Sequence, residues 1–233
     1  MGKPRVLVFS SGTAVGGGSG FEKLEEATRK GVLQAEILAV VSNHAEGGVY
    51  QRAERLGVPF IHFPGPWTAE RYQFLAQETG AKFFALSGWV KLVVGLDLKT
   101  RFNSTTVFNI HPGPLPQFGG PGLYGHHVHE AVMAAYTRGE ITHSAVSMHF
   151  VTEPKSRDDY DKGPVFFRSK VKILADDTPE SLGKRVNLRE HECQPELTNM
   201  VVNGLIRWDG VDPSSLEFRD RTYHQTYYLI KHY

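Results

Sequence analysis

Asn109-Ile110-His111-Pro112 follows a β-branched and apolar run, Thr105 to Val107, and opens into a loop rich in proline and glycine. That pattern describes a strand ending in a functional loop. Side chains alternate across a strand, so Asn109 and His111 project to one side. An amide donor beside an imidazole can polarise a carbonyl and move a proton at one site. The plainer alternative is a strand end whose polar groups satisfy a turn, and four residues alone do not separate the two.

Outward from this strand the pattern alternates. Val6 to Ser10, Ala35 to Ser42, Pro59 to Phe63 and Lys82 to Leu86 have strand character. Phe21 to Lys30, Val49 to Leu56 and Thr68 to Thr79 have helical character, stopped by Gly31, Gly57 and Gly80. Leu98 to Asn103 is expected to form a short helix ahead of the Asn109 strand. Such alternation predicts an α/β fold, with a Rossmann-like, mostly parallel twisted sheet and helices on both faces. Downstream, His127 to Arg138 is a predicted helix, and Ser144 to Val151 and Val165 to Ile173 are predicted antiparallel strands added in the C-terminal half. Asp177-Thr178-Pro179 supplies an N-cap and an early proline for a long helix towards Asn203. The expected organisation is one domain, 1–208, with a C-terminal extension, 209–233.

Composition narrows the classes. The 233 residues are 40% apolar and 22% charged, which suits a water-soluble protein that buries a core. A net charge of +1 and the absence of any Lys/Arg run leave no nucleic-acid footprint. The first apolar run, Val6 to Phe9, is too short for a signal-peptide core or a membrane span. Neither nucleic acid nor membrane is therefore expected as a partner. Cys193 stands alone, which excludes an internal disulfide and a thiolate metal cluster and makes a reducing cytoplasm the simplest setting. Cys193 falls inside the long helix, where a structural role is the simpler one.

The loop after the first strand, Ser10 to Gly20, carries five glycines. Glycines let backbone N–H groups approach a ligand, and the following helix N-terminus favours an anion, phosphate first. GxxxxGK[ST] and GxGxxG are both missing, and the second strand ends in Ser42-Asn43-His44 without an acidic residue for ribose hydroxyls. A nucleoside triphosphate and NAD are thus disfavoured. His126, His127 and His129 form a histidine-rich stretch, taken as a loop and helix face, with no carboxylate or cysteine seen at ligand spacing. No metal is expected.

With Asn109-Ile110-His111-Pro112-Gly113-Pro114-Leu115-Pro116 in view, the chain resembles the folate-dependent formyltransferases, and among them those acting on glycinamide ribonucleotide. Five segments carry the resemblance in order over roughly residues 5–208. They are the strand with its Ser/Gly-rich loop, Leu86-Ser87-Gly88-Trp89-Val90-Lys91-Leu92, the Asn-x-His-Pro strand end, His149-Phe150-Val151-Thr152-Glu153 with the later Asp161-Lys162-Gly163-Pro164-Val165, and Arg189-Glu190-His191 followed by Pro195. The resemblance implies a formyltransferase fold and an Asn, His, Asp trio at Asn109, His111 and Asp161. The insert Pro154 to Tyr160 is longer than usual in the family and puts Asp158 and Asp159 forward as rivals; the Gly163-Pro164-Val165 register favours Asp161.

The resemblance further implies that Gly18, Ser19 and Gly20 bind the substrate phosphate and that Glu190 contacts its ribose. Trp89, Val90, Lys91, Leu92, Val93 and Asn109 would line the folate site, although Trp89 is equally a core aromatic and Glu190 equally an exposed helical carboxylate. Gly20 stands where the family usually has Asn, and Gly113-Pro114 and Gly119 to Tyr124 mark a remodelled loop. The implied reaction moves the formyl group of 10-formyltetrahydrofolate to the amine of glycinamide ribonucleotide in purine biosynthesis, with both small molecules as partners and a homodimer left open. Asp161 would raise the pKa of His111. The alternatives are a 10-formyltetrahydrofolate hydrolase and a catalytically silent folate- or phosphate-binding relative.

Overall fold

The apolar runs become β1 (Arg5–Phe9), β2 (Glu36–Ser42), β3 (Phe60–His62), β4 (Phe83–Ser87) and β5 (Val107–His111), linked in part by α1 (Ser19–Arg29), α2 (Gly48–Leu56) and α3 (Ala69–Thr79). Then come α4 (His126–Thr137), β6 (His143–Phe150), β7 (Val165–Lys172), α5 (Pro179–Val202) and two short strands, β8 (Ile206–Arg207) and β9 (Glu217–Phe218). This computed structural model describes residues 2–219.

Seven strands form one sheet in the order β3-β2-β1-β4-β5-β6-β7. β1 to β5 pair in parallel, while β5–β6 and β6–β7 are antiparallel. Period-two alternation sorts the side chains onto two faces. Val6, Val8, Phe83, Ala85, Phe108 and Ile110 share one core with residues of α1, α2, α4 and α5. Leu7, Phe9, Phe84, Leu86 and Val107 share the other with Tyr72, Leu75 and Ala76 of α3. Helices on both faces of a mostly parallel sheet are thus present.

Long α5 begins as its sequence predicts. Thr178 accepts from Ser181 N–H at 3.2 Å while Ser181 Oγ accepts from Thr178 N–H at 2.9 Å, a reciprocal capping box ahead of Pro179.

Leu98 to Asn103 is not a helix but a series of turns. Lys99 N–H donates to Asp97 Oδ1 at 2.9 Å, Asn103 Nδ2 to Thr100 O at 2.6 Å and Thr105 N–H to Asn103 Oδ1 at 2.8 Å. Short polar side chains here offer the backbone an alternative to the helical ladder.

Beyond α5, Ile206 pairs with Phe218 and Arg207 with Glu217, so β8 and β9 join across residue 208. Trp208 between them is buried and donates from Nε1 to Ser104 O at 2.9 Å. Residues 220–233 of the expected extension lie outside the described residues.

Candidate active site

The C-terminal end of β5 holds both polar residues of the opening motif on one face. Asn109 sits opposite His149 of β6 in the antiparallel register, and His111 opposite Ser147. Asn109 Nδ2 lies 3.3 Å from Asp161 Oδ1 and 3.1 Å from His149 Nε2. His111 Nδ1 lies 3.7 Å from Asp161 Oδ2, and His111 Nε2 is 2.7 Å from Phe118 O. A carbonyl can only accept, so the Nε2 position carries the proton and Nδ1 faces the carboxylate. Ser147 fixes the loop beyond β5, donating to Gly113 O at 2.7 Å and accepting from Leu115 N–H at 3.2 Å.

Asp161 reaches this cluster from the β6–β7 connection. Its backbone is left-handed at φ 56°, a region Asp tolerates better than most residues. Gly120 N–H donates to its Oδ2 at 3.2 Å. The rival carboxylates are placed otherwise. Asp159 Oδ2 accepts from the Lys155 and Ser156 N–H groups at 2.8 and 3.0 Å, closing a turn, and Asp158 is exposed beside it.

Electrostatics in the cluster are set by burial and by opposite charge. Burial pushes the Asp161 carboxyl up, but His149, His111 and the Gly120 N–H together hold it down to about 2, so it is ionised. For His111 the expected upward shift is overturned. Asp161 and Phe118 O do pull its pKa up, but the ring is only 3% exposed, and desolvation pulls it below 6.5 on balance. His111 is therefore neutral at pH 7.

His149, quoted in the sequence only as the first residue of the His-Phe-Val segment and given no role there, joins the cluster. It is 2% exposed, 3.3 Å from Asp161 Oδ1 through Nε2, and bonded through Nδ1 to Phe150 O at 2.7 Å. Its signal is the spacing of the His-Phe-Val strand, which acquires meaning only once the β5–β6 register is known.

A cavity of about 670 Å³ opens beside the cluster, lined by Asn109, His111 and Asp161, and also by Gly17 to Gly20 and Glu190. Its size suits a small-molecule site. Gly18, at φ 79°, precedes α1 and provides no side-chain cap, so the first-turn N–H groups are available to an anion. The loop is tied down by Thr13 N–H to Gly16 O at 2.9 Å and by Arg52 Nη1 to Gly17 O at 2.7 Å. A Cβ on Gly20 would stand 2.1 Å from Ser87 Oγ and 2.9 Å from Gln194 Oε1, so the backbone passes where a side chain cannot. Ser19 Oγ lies 3.1 Å from His191 Nε2. Glu190 is half-buried on the cavity wall; burial raises its carboxyl to about 7, against a 3.2 Å hydrogen bond from Asn187.

Of the segment after β4, Trp89 and Val90 line the cavity. Trp89 is also packed in the core, 5.4 Å from the Phe9 ring, with Nε1 donating to Tyr72 Oη at 3.0 Å, so it is both core aromatic and wall. Lys91 Nζ stands 4.8 Å over the Trp67 ring, Leu92 O accepts from Tyr72 Oη at 3.3 Å and Val93 is buried. These three do not face the cavity.

Carboxylates do approach the histidine stretch, contrary to its sequence reading. Glu130 lies one helical turn on, 2.9 Å from His127 Nδ1 and 3.3 Å from His126 Nε2, and Glu180 arrives from α5 at 3.5 Å from His126. Among the described residues no group of three or more His, Cys, Asp or Glu is arranged to hold a metal ion. No described helix is long and apolar enough to cross a membrane.

The formyl transferase family model matches residues 4–198. Among curated proteins, the chain is similar to the chloroplastic phosphoribosylglycinamide formyltransferase of Arabidopsis thaliana, with 34% identity covering 90% of this chain and 70% of that one. Among solved structures it is similar to glycinamide ribonucleotide transformylase 1 from Symbiobacterium toebii, with a TM-score of 0.76, 26% identity and coverage of 94% of this chain and 95% of that one. A formyltetrahydrofolate deformylase from Pseudomonas syringae shares the fold at a TM-score of 0.73 and 21% identity, covering 94% of this chain and 66% of that one. A family match over most of the chain, with relatives alike over nearly all of it, means that the chain belongs to the formyl transferase family.

Proposed function

We propose that the protein transfers the formyl group of 10-formyltetrahydrofolate to the amine of N1-(5-phosphoribosyl)glycinamide, a step of purine biosynthesis. The observation that carries this reading is that an uncapped helix N-terminus and the Asn109, His111, Asp161 cluster open into one cavity. A phosphorylated acceptor uses both. Its phosphate takes the α1 N–H groups at Gly18 to Gly20, and Glu190 accepts from its ribose hydroxyls. Trp89 and Val90 wall the pterin.

The amine lone pair attacks the formyl carbon, and the C=O electrons move to oxygen. Asn109 donates to that oxyanion, in place of its 3.3 Å contact to Asp161. Removing such a donor typically costs about 100- to 1000-fold in rate. Neutral His111 holds its Nε2 proton on Phe118 O, so Nδ1 accepts the amine proton, directly or through water. The imidazolium so formed faces ionised Asp161. When the tetrahedral carbon collapses, the C–N10 bond breaks, and the same proton passes to the departing nitrogen. No step calls for a metal.

A hydrolase on this fold would put water in place of the amine and would have no use for the α1 anion site. A silent binding protein would have no use for a carboxylate held ionised against burial. The single free cysteine, Cys193, is buried and suits a reducing cytoplasm, although the Arabidopsis relative is chloroplastic. The test is turnover of 10-formyl-5,8-dideazafolate, followed by absorbance, with and without the nucleotide. Turnover that needs the nucleotide and is abolished in His111→Ala is expected. Turnover without it would make the protein a hydrolase, and tight binding without turnover a silent relative.

A further inference from the structure

Helix α5 turns a polar face to the cavity. Asn187, Glu190, His191 and Gln194 all line it, at the three- and four-residue spacing that puts helical side chains on one side. Glu190 is given to the ribose in the reading above, and His191 meets Ser19 Oγ at 3.1 Å. Gln194 has no part in that reading.

Gln194 is 1% exposed, so both ends of its amide call for partners. Its Oε1 accepts from Ser87 Oγ at 3.2 Å, and no hydrogen bond engages Nε2 among the described residues. The amide stands beside the second residue of α1. A Cβ on Gly20 would collide with Ser87 Oγ and come within 2.9 Å of Gln194 Oε1. The space that a side chain at position 20 would fill is therefore held by the ends of Ser87 and Gln194. Where the family usually carries an amide on the loop, this chain brings one in from α5. With Oε1 fixed by Ser87, Nε2 is the end left to donate to an anion at the α1 N-terminus.

We propose that Gln194 is a further substrate-binding residue, whose Nε2 donates to the acceptor's phosphate beside the Gly18 to Gly20 N–H groups. This rests on the acceptor reading above and adds a donor from a different element of the fold.

The test is steady-state turnover with 10-formyl-5,8-dideazafolate and either glycinamide ribonucleotide or its dephosphorylated riboside. Gln194→Met keeps the length of the side chain and removes the amide. It should lower kcat/KM for the ribonucleotide about tenfold, through KM, as expected for a lost hydrogen bond to a charged group. The values for the riboside, and KM for the folate, should stay within about twofold. A second set of variants moves the amide. In Ser87→Ala/Gln194→Ala the closest neighbour of a Cβ at position 20 becomes the residue 87 Cβ, at 3.5 Å, an ordinary contact. Adding Gly20→Asn to that background should raise kcat/KM for the ribonucleotide about fivefold. Wild-type kcat/KM in Gln194→Met, an equal loss for ribonucleotide and riboside, or no gain from Gly20→Asn would overturn the assignment and leave the formyl-transfer reading intact. Failure of wild type to use the ribonucleotide at all would remove the acceptor reading and this inference with it.

Discussion

Asp161→Asn isolates the charge in the proposed site. Asparagine has nearly the shape of aspartate and tolerates the left-handed backbone at φ 56°, so the fold should persist. What disappears is a negative charge 3.7 Å from His111 Nδ1. At an effective dielectric of about 20, a full imidazolium at that distance gains about 4 kcal/mol from the carboxylate. If the transition state carries most of that imidazolium, kcat should fall about a thousandfold. KM for either substrate should stay within about threefold, because the charge is felt in the transition state and not in ground-state binding.

The pH profile gives an independent readout. In wild type, kcat should decline only below pH 6.5, where the desolvated His111 becomes protonated before reaction. Removing Asp161 removes an upward pull on that pKa, so the acid limb should move lower still. Stability gives a third. A carboxyl held at about 2 in the fold, against 3.8 ordinarily, stabilises the protein above pH 4 and loses that contribution, about 2 kcal/mol, as the pH falls to 2. Asp161→Asn should lack that part of the acid-induced loss. A kcat within tenfold of wild type, or an acid limb that stays put, would refute this account of the cluster.

Gly20→Ala should lower stability by about 1–3 kcal/mol and raise KM for the nucleotide about tenfold, because the new methyl meets Ser87 Oγ at 2.1 Å and Gln194 Oε1 at 2.9 Å; unchanged melting and KM would show that the loop has more room than its packing indicates. Cys193 is 3% exposed, and burial pushes its thiol up to about 12, so Ellman's reagent should leave the native protein unmodified and label it fully in denaturant. Rapid labelling of native protein would contradict that burial.

The sheet was legible in the sequence because its strands are short apolar runs punctuated by glycines, and Gly57 and Gly80 do sit in left-handed C-caps. Asn109 and His111 were legible because their spacing of two is a local property. His149 was not, because its partnership with Asn109 depends on a pairing register between strands set by tertiary structure. Asp161 stood between two rivals for the same reason. Nothing local says that Asp159 spends its carboxylate on the turn over Lys155 and Ser156. The Leu98 to Asn103 helix failed where side-chain hydrogen bonds outcompeted apolar spacing. His111 showed a different gap: the direction of Asp161's effect was readable, but the burial that outweighs it was not.

The sheet changes direction at β5, and this affects how the chain can be made. β5 lies between β4 and β6, and its Val107, Phe108 and Ile110 are buried in the finished sheet. During synthesis β1 to β5 emerge first, with their parallel pairings available, while the strand that closes the far side of β5 comes later, after the glycine-rich loop and α4. Throughout that interval β5 is an open apolar edge, the kind that recruits strands from other chains. Products truncated between residues 112 and 142 would keep Asn109 and His111 but expose this edge permanently, so premature termination there should yield aggregates and not a weakly active fragment.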